Sequence, residues 1–273
     1  MNVQAGATIG ALQAALPLDP LENRILLQHA LGITRVALIT QSDRALTQQE
    51  ADALSALVRR RLDGEPIAYI VGQREFFGLP FKVSPAVLIP RPDTELIVEL
   101  AIDRLPPQGR LLDMGTGSGA IAVSVAHTRQ DALVTALDVS PQALAVAREN
   151  AAANGAAVRF LQSDWFGAIG DERFEVVASN PPYIASGDEH LSQGDLRFEP
   201  VGALTDHADG LSALRIIIAG ARTHLAAAGW LLLEHGYDQA AQVRELLAAQ
   251  GYTDVQSWRD LAGIERVSGG RLG

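Results

Sequence analysis

The sequence predicts an α/β protein: a mostly parallel seven-stranded sheet, preceded by a small all-helical domain and a β-hairpin linker. Three observations carry this. From about Pro90 onward, short apolar runs alternate with longer helical ones, the pattern of parallel strands covered on both faces. Before that point, apolar residues recur at helical spacing instead. Between the two, aromatic and polar residues alternate around Gly78 and Pro80, which reads as a hairpin. The expected boundaries are residues 1–72 for the helical domain, 73–89 for the linker and 90–273 for the α/β domain.

The helical segment begins with "TIGALQAALP" and "PLENRILLQHALG", apolar-periodic runs that end in Pro and Gly. "TQQEADALSALVRRRLDG" opens on a capping box, Thr47 with Glu50, and stops at Gly64. Within it Leu54, Leu57, Val58 and Leu62 are expected on a buried face, and Arg59 to Arg61 on the solvated one. "PIAYIVG" adds a short helix, and "REFFGLPFKVS" forms the hairpin. The strands that follow are "GRLLDMG", "ALVTALD", "AVRFLQS", "FEVVASN", "GWLLLEHG" and "TDVQSW", with a seventh from the tail "IERVSGGRLG". Between them run the helices "AIAVSVAHT", "PQALAVARENAAANG", "LSALRIIIAGARTHLAAAG" and "DQAAQVRELLAAQG".

Composition narrows the function classes. Of 273 residues, 48% are hydrophobic and 20% charged, the balance of a soluble globular protein. No apolar run approaches the roughly 18 residues of a membrane span, and "MNVQAGATIG" has no basic region typical of a signal peptide. Cysteine is absent, which removes disulfides, thiolate metal sites and thiol nucleophiles. The six histidines show no metal-ligand spacing, so no metal is expected, and His235 reads as structural. These features point to a cytoplasmic protein. Residues 1–85 carry eight acidic and eight basic side chains; residues 86–273 carry 24 and 14, which accounts for the whole net charge of −10. That balance weighs against a nucleic-acid substrate, whose phosphates ask for Lys and Arg.

The most informative turn is "LLDMGTGSGAIAVSVA". A strand ending at Met114 runs into Gly115, Gly117 and Gly119, and a helix begins at once. Glycines there let the backbone bend tightly and approach a ligand beside a helix N-terminus. The next strand ends in Asp138, 23 residues after Gly115, the placement of an acid that binds ribose hydroxyls. The spacing is G-x-G-x-G rather than the dinucleotide G-x-G-x-x-G, and there is no phosphate-loop lysine.

"DMGTGSG" resembles the first motif of the class I S-adenosylmethionine-dependent methyltransferases, which have a Rossmann-like fold. The resemblance implies S-adenosyl-L-methionine as cofactor, held by Asp113, Gly115, Thr116, Gly117, Ser118 and Gly119, with Asp138 on the ribose. It also implies that Asp164 in "QSDWF" lies beside the adenine, with Trp165 either packed on the base or part of the core.

"NPPY", Asn180 to Tyr183, follows the fourth strand of the alternating series. Ligands of open α/β sheets bind beyond the carboxyl ends of the strands, so Asn180 shares an edge with the glycine turn and Asp138. The chemistry suits a planar nitrogen. Its lone pair is delocalised, and two acceptors aimed at its N–H bonds favour the pyramidal form as charge develops. The Asn180 side-chain oxygen and the Pro181 carbonyl supply them, Pro181 and Pro182 stiffen the corner, and Tyr183 stacks on the planar group. The methyltransferase resemblance also implies that Asn180 lies against the cofactor. Adenine-N6 and guanine-N2 methyltransferases use the same kind of corner, so "NPPY" alone leaves glutamine and nucleobase both open.

Further stretches resemble the HemK-type release-factor glutamine methyltransferases: "GEPIAYIVGQREFFGLPFKV", "VLIPRPDTELIVE", "LQSDWF", "NPPYI", "GDLRFEPVGAL" and "LLLEHG". They span essentially the whole chain, although the first 45 residues match only as a helical region. The resemblance implies methylation of the glutamine side-chain nitrogen in the Gly-Gly-Gln loop of peptide chain release factors, with the N-terminal helices helping to dock the factor. It places Arg91 and Pro92 near the pocket, Arg91 on the substrate; Pro92-Asp93-Thr94 also reads as a helix start. Arg197 and Glu199 either order a loop over the site or pair at the surface. The alternative is a nucleic-acid N6-adenine or N2-guanine methyltransferase.

Overall fold

In the first 72 residues, helices form where a capping side chain precedes a periodic apolar run. The computed structural model describes residues 2–273, which divide into two compact units, Met1–Gly72 and Gln73–Gly273. In the first unit, α1 (Ile9–Ala15) is capped by Thr8. α2 (Pro20–Leu31) is capped by Asp19 and ends at Gly32 in the left-handed region. α3 (Arg35–Thr40), capped by Thr34, has no counterpart in the sequence reading, because six residues are too few to show a period. α4 (Gln48–Leu62) carries the expected capping box of Thr47 and Glu50, and α5 (Ile67–Val71) ends at Gly72.

Ile9, Leu26, Leu27, Leu38, Leu54 and Val58 meet in the centre of this unit. Leu57 is partly buried against them, but Leu62 is exposed: it sits in the last turn of α4, where the chain reverses at Asp63 and Gly64. Arg59 and Arg60 face solvent, and Arg60 and Arg61 pair with Glu65 and Glu22 at 2.5 and 2.9 Å.

The second unit opens with the hairpin of β1 (Gln73–Phe76) and β2 (Leu79–Lys82). Phe77 and Gly78 both have positive φ (52° and 73°), which gives the turn the twist that paired strands require. The hairpin sends Phe76 and Phe81 into the core of this second unit, edge to face at 5.8 Å. A single 3₁₀ turn at Pro92–Thr94 then leads into α6 (Glu95–Arg104).

The elements alternate thereafter: β3 (Arg110–Met114), α7 (Ala120–Thr128), β4 (Leu133–Asp138), α8 (Pro141–Ala153), β5 (Val158–Gln162) and β6 (Phe174–Ser179). They continue with α9 (Val201–Leu204), α10 (Ser212–His224), β7 (Leu225–Glu234), α11 (Ala240–Ala249), β8 (Tyr252–Arg259) and β9 (Glu265–Leu272). The sheet order is β5-β4-β3-β6-β7-β9-β8. All pairs are parallel except those of β9 with β7 and β8. Successive residues of a strand face opposite sides. Leu111, Val176 and Ala178 therefore join the core under α6 and α7, while Leu112, Met114 and Val177 join the one under α10 and α11.

One boundary departs from the sequence reading. The alanine-rich end of "LSALRIIIAGARTHLAAAG" is strand, not helix: α10 stops at His224 and β7 starts at Leu225. Leu225 pairs with Phe174, and the chain then bulges through Ala228 (φ 61°) before Trp230 pairs with Val176. Sheet pairing outweighs the helix preference of alanine there.

The chain winds outward from β3 to β5 and returns to place β6 on the other side of β3. Met114 and Ser179 are register partners, and the Ser179 hydroxyl donates to the Met114 carbonyl at 2.7 Å. The winding direction reverses between these two strands, so the glycine turn and Asn180 leave the sheet side by side. This is where an open α/β sheet binds its ligand.

Candidate active site

Each part of the site begins at a strand end. After β3, Gly115, Gly117 and Gly119 have φ of 69°, 55° and 87°, a region that side chains other than glycine occupy with strain. At Gly119 a Cβ would also lie 3.0 Å from Val123 Cγ2 and 3.2 Å from Ala147 Cβ. Asp113 closes this turn from behind. Its Oδ2 accepts from the Thr116 hydroxyl at 2.6 Å and from the Ala122 N–H at 3.1 Å, while its Oδ1 is buried without a partner. Burial pushes the Asp113 carboxyl up to about 7; its two hydrogen bonds oppose the shift and the charge of Asp138 adds to it.

Asp138 ends β4 facing the same turn. Its Oδ2 accepts the Gly117 N–H and its Oδ1 the Ser140 N–H, both at 2.9 Å. Burial raises its pKa against these backbone bonds. After β5, Trp165 sits at φ 47°, its carbonyl accepting from the Ser163 hydroxyl at 2.7 Å. The Trp165 ring packs on the second core, as one sequence reading expected, and also lines the cavity.

Asn180 follows β6. Its Nδ2 donates to Thr94 Oγ1 at 3.2 Å, across 86 residues of sequence. Tyr183 is largely buried: its hydroxyl donates to Glu234 Oε1 at 3.4 Å and its carbonyl accepts from Gln239 Nε2 at 3.0 Å. Burial, and next the charge of Glu234, raise the phenol pKa. No cis peptide bond occurs among the described residues, so both prolines of the corner are trans.

These strand ends surround a cavity of about 330 Å³, in the size range of small-molecule sites. Gly115, Thr116, Gly117, Ser118, Asp138, Asp164, Trp165, Asn180, Pro182 and Arg91, all expected from the sequence, line it together. Asp113, Gly119, Pro181 and Tyr183 do not; Asp113 supports the turn from within the core, and Tyr183 anchors the corner at β7.

Sequence reasoning missed two supports and left a third open. Thr94 lines the cavity and holds Asn180. Asn150 on α8 donates to the Ser118 carbonyl at 2.8 Å and exchanges bonds with both backbone groups of Lys82, tying the hairpin to the glycine turn. Glu199, read as a loop orderer or a surface ion pair, is buried. It accepts the Ile89 N–H at 3.0 Å and pairs with Arg91, which joins two cavity-lining segments 110 residues apart. Arg197 takes no part and lies over Phe198 instead. Among the described residues, no group of three or more acidic, His or Cys side chains could hold a metal.

Comparison with known proteins agrees with this architecture. A family model described as methyltransferase small domain matches residues 93–195, and one described as PrmC N-terminal domain matches residues 8–72. A release factor glutamine methyltransferase of Burkholderia pseudomallei is 57% identical, over 97% of this chain and 96% of its own. One from Escherichia coli is 47% identical over 90% of both. Among solved structures, a methyltransferase from Pyrococcus furiosus aligns with a TM-score of 0.56 at 23% identity, over 80% of this chain and 99% of that one. A T. thermophilus 16S rRNA N2 G1207 methyltransferase, in complex with AdoMet and guanosine, aligns with a TM-score of 0.53 at 20% identity, over 74% and 50%. At those identities the two structures speak for the fold.

Proposed function

The chain belongs to the release factor glutamine methyltransferases, and on that premise we propose how it acts: it moves a methyl group from S-adenosyl-L-methionine to the side-chain nitrogen of the glutamine in the Gly-Gly-Gln loop of a peptide chain release factor. The observation that carries this reading is the state of Asn180. Its Nδ2 is taken by Thr94, so its Oδ1 stands ready to accept an N–H at the edge of the cavity.

The residues fit the cofactor. At Gly115 and Gly117 a Cβ would meet nothing within 4 Å, so the space a side chain would fill lies open to a ligand. Each Asp138 oxygen takes one backbone N–H and keeps a lone pair, as two ribose hydroxyls require. Asp113, Thr116, Ser118 and Gly119 shape the turn, Trp165 offers its ring to the base, and Asp164 lies at the adenine edge. Bound there, the cofactor supplies a methyl on a sulfonium, an electrophile already activated.

The chain's own task is to prepare a reluctant nucleophile. Asn180 Oδ1 and the Pro181 carbonyl accept the two N–H bonds of the glutamine amide and favour its pyramidal form. Pro181 and Pro182 fix that geometry before reaction. Tyr183, anchored on Glu234, orients the planar group, and Arg91, held by Glu199, borders the entrance. No base is needed before attack, because the proton leaves the charged product afterwards.

Residues 1–72 serve as the docking domain in this reading, residues 73–89 as the link and 90–273 as the catalytic domain. The outward apolar side chains of Val36 and Ile39 on α3 support a protein partner, and a release factor places the enzyme in the cytoplasm. Family membership sets aside the nucleic-acid alternative. The test is mass spectrometry of a release factor incubated with enzyme and cofactor. One added methyl is expected on the Gly-Gly-Gln glutamine; methylation confined to another residue overturns the reading.

A further inference from the structure

Charge is unevenly spread around the cavity. Among its described lining residues three are charged: Asp138, Asp164 and Arg91. The two acids lie at the ends of β4 and β5, where ribose and adenine are placed above. Arg91 belongs to the segment that meets Asn180. Its carbonyl accepts the Thr94 N–H at 3.1 Å, and Thr94 Oγ1 accepts from Asn180 Nδ2 at 3.2 Å. The single cation thus stands at the transfer end, one turn from the proposed acceptor.

A buried carboxylate holds Arg91 from behind. The Glu199 side chain has no exposed surface; its Oε2 accepts the Ile89 N–H at 3.0 Å and its Oε1 accepts from Arg91 Nη2. Both oxygens are therefore occupied, and the carboxylate is tied to backbone. The guanidinium is 33% exposed and carries five N–H donors. Among the described residues Glu199 is the hydrogen-bond partner of this side chain, so most of those donors stay free. A planar fork fixed on one side can take a second carboxylate on the other through two parallel bonds.

S-adenosyl-L-methionine carries three arms on its sulfur. On the reading given above, the adenosyl arm goes to Asp138 and Asp164 and the methyl faces Asn180. The third arm, an aminobutyrate, ends in a carboxylate that needs a cation in a water-poor cavity. Arg91 is the cation that lines it. At Gly202, which lines the cavity just beyond Glu199, a Cβ would meet nothing within 4 Å, so this wall has space for a ligand. We propose that Arg91 anchors the carboxylate of the cofactor rather than the release factor, and that Glu199 is the positioning residue that aims it. This rests on the cofactor reading given above.

The experiment is calorimetry on the full-length enzyme with S-adenosyl-L-methionine and with decarboxylated S-adenosylmethionine, which lacks that group alone. Hydrogen bonds to a charged group predict that the wild type prefers the carboxylate by roughly 10–100-fold. Arg91→Gln should lose most of this preference by weakening S-adenosyl-L-methionine while the decarboxylated ligand binds as before. Arg91→Lys should restore part of it. Glu199→Gln keeps an acceptor for the Ile89 N–H and loses the charge. It should also reduce the preference, whereas a merely structural role would weaken both ligands alike. Equal wild-type binding of the two ligands (which needs no variant) would overturn the proposal. So would a preference retained in Arg91→Gln, the result expected if backbone N–H groups hold the carboxylate. A third contrary result is an Arg91→Gln that binds both ligands like wild type and raises only KM for the release factor. If the wild type binds neither ligand, the cofactor reading falls as well; if it binds both equally, the role of Arg91 alone falls.

Discussion

Two strand ends meet at the reversal point of the sheet, and behind each stands a carboxyl group buried and raised to about 7. Asp113 supports the glycine turn and Glu234 supports the NPPY corner. Their partners differ. Asp113 reaches a hydroxyl and a backbone N–H of the turn it braces, and what that turn offers a ligand is backbone, which has one orientation. Glu234 reaches the corner through the Tyr183 hydroxyl at 3.4 Å, Asn180 is held by Thr94, and what is steadied there is a side chain with two. A backbone cradle needs bracing; a side-chain acceptor needs orienting as well. The cofactor half is accordingly expected to answer to mutation through affinity and stability, and the transfer half through turnover.

Asn180→Ala is the strongest test of that division. Losing one preorganised contact is expected to lower kcat by about 10²–10³-fold, with an unaltered circular dichroism spectrum and a cofactor Kd within a few-fold of wild type. A variant that bound cofactor poorly and turned over normally would erase the distinction between the halves. Asp138→Asn comes next, on the other side. The amide must present an N–H toward either Gly117 or Ser140, both of which are donors. Hydrogen bonds to a charged group contribute about 1.5–3 kcal/mol, so calorimetry should show cofactor binding weaker by roughly 10–100-fold, with kcat at saturation less affected.

Gly119→Ala sharpens the cradle side further. The substitution puts a Cβ at φ 87° and within 3.0 Å of Val123. Backbone strain of this kind costs on the order of 2 kcal/mol, a fall in Tm of about 4–8 °C. A Tm equal to wild type would mean that the turn is not held in the left-handed conformation.

How much of this could be read in the sequence depends on distance along the chain. The glycine turn, Asp138 and the NPPY corner were legible because each is a short signal at a strand end, and topology alone brings strand ends to one edge. The capping box of α4 was legible because both partners lie within one turn. Thr94 on Asn180 and Glu199 on Ile89 were not: their partners lie 86 and 110 residues away, and no local pattern states which side chains cross a sheet edge to meet. Leu225 to Ala228 were misread because an alanine run carries a helix preference, while the strand depends on pairing with Phe174. Leu62 was misread because periodicity gives a helix face but not where its neighbours stop.

The smallest expected effect tests whether the brace behind the glycine turn is a protonated one. Asp113 is raised from its ordinary 3.8 to about 7 by burial. Between those values the folded protein holds a proton that the unfolded chain has released, so stability falls as pH rises through the window and levels off above about 7. Glu234 contributes in the same direction. Asp113→Asn fits with little strain: the amide oxygen replaces Oδ2 and keeps the bonds from Thr116 and Ala122, and the NH₂ takes the place of the partnerless Oδ1. Being neutral throughout, the variant loses the Asp113 share of the pH dependence and keeps that of Glu234. Its Tm should therefore decline less than wild type between pH 5 and pH 8, with the two curves diverging most near neutrality. Parallel curves would show that no proton on Asp113 is linked to folding, and that the two buried carboxyl groups differ in charge as well as in what they hold.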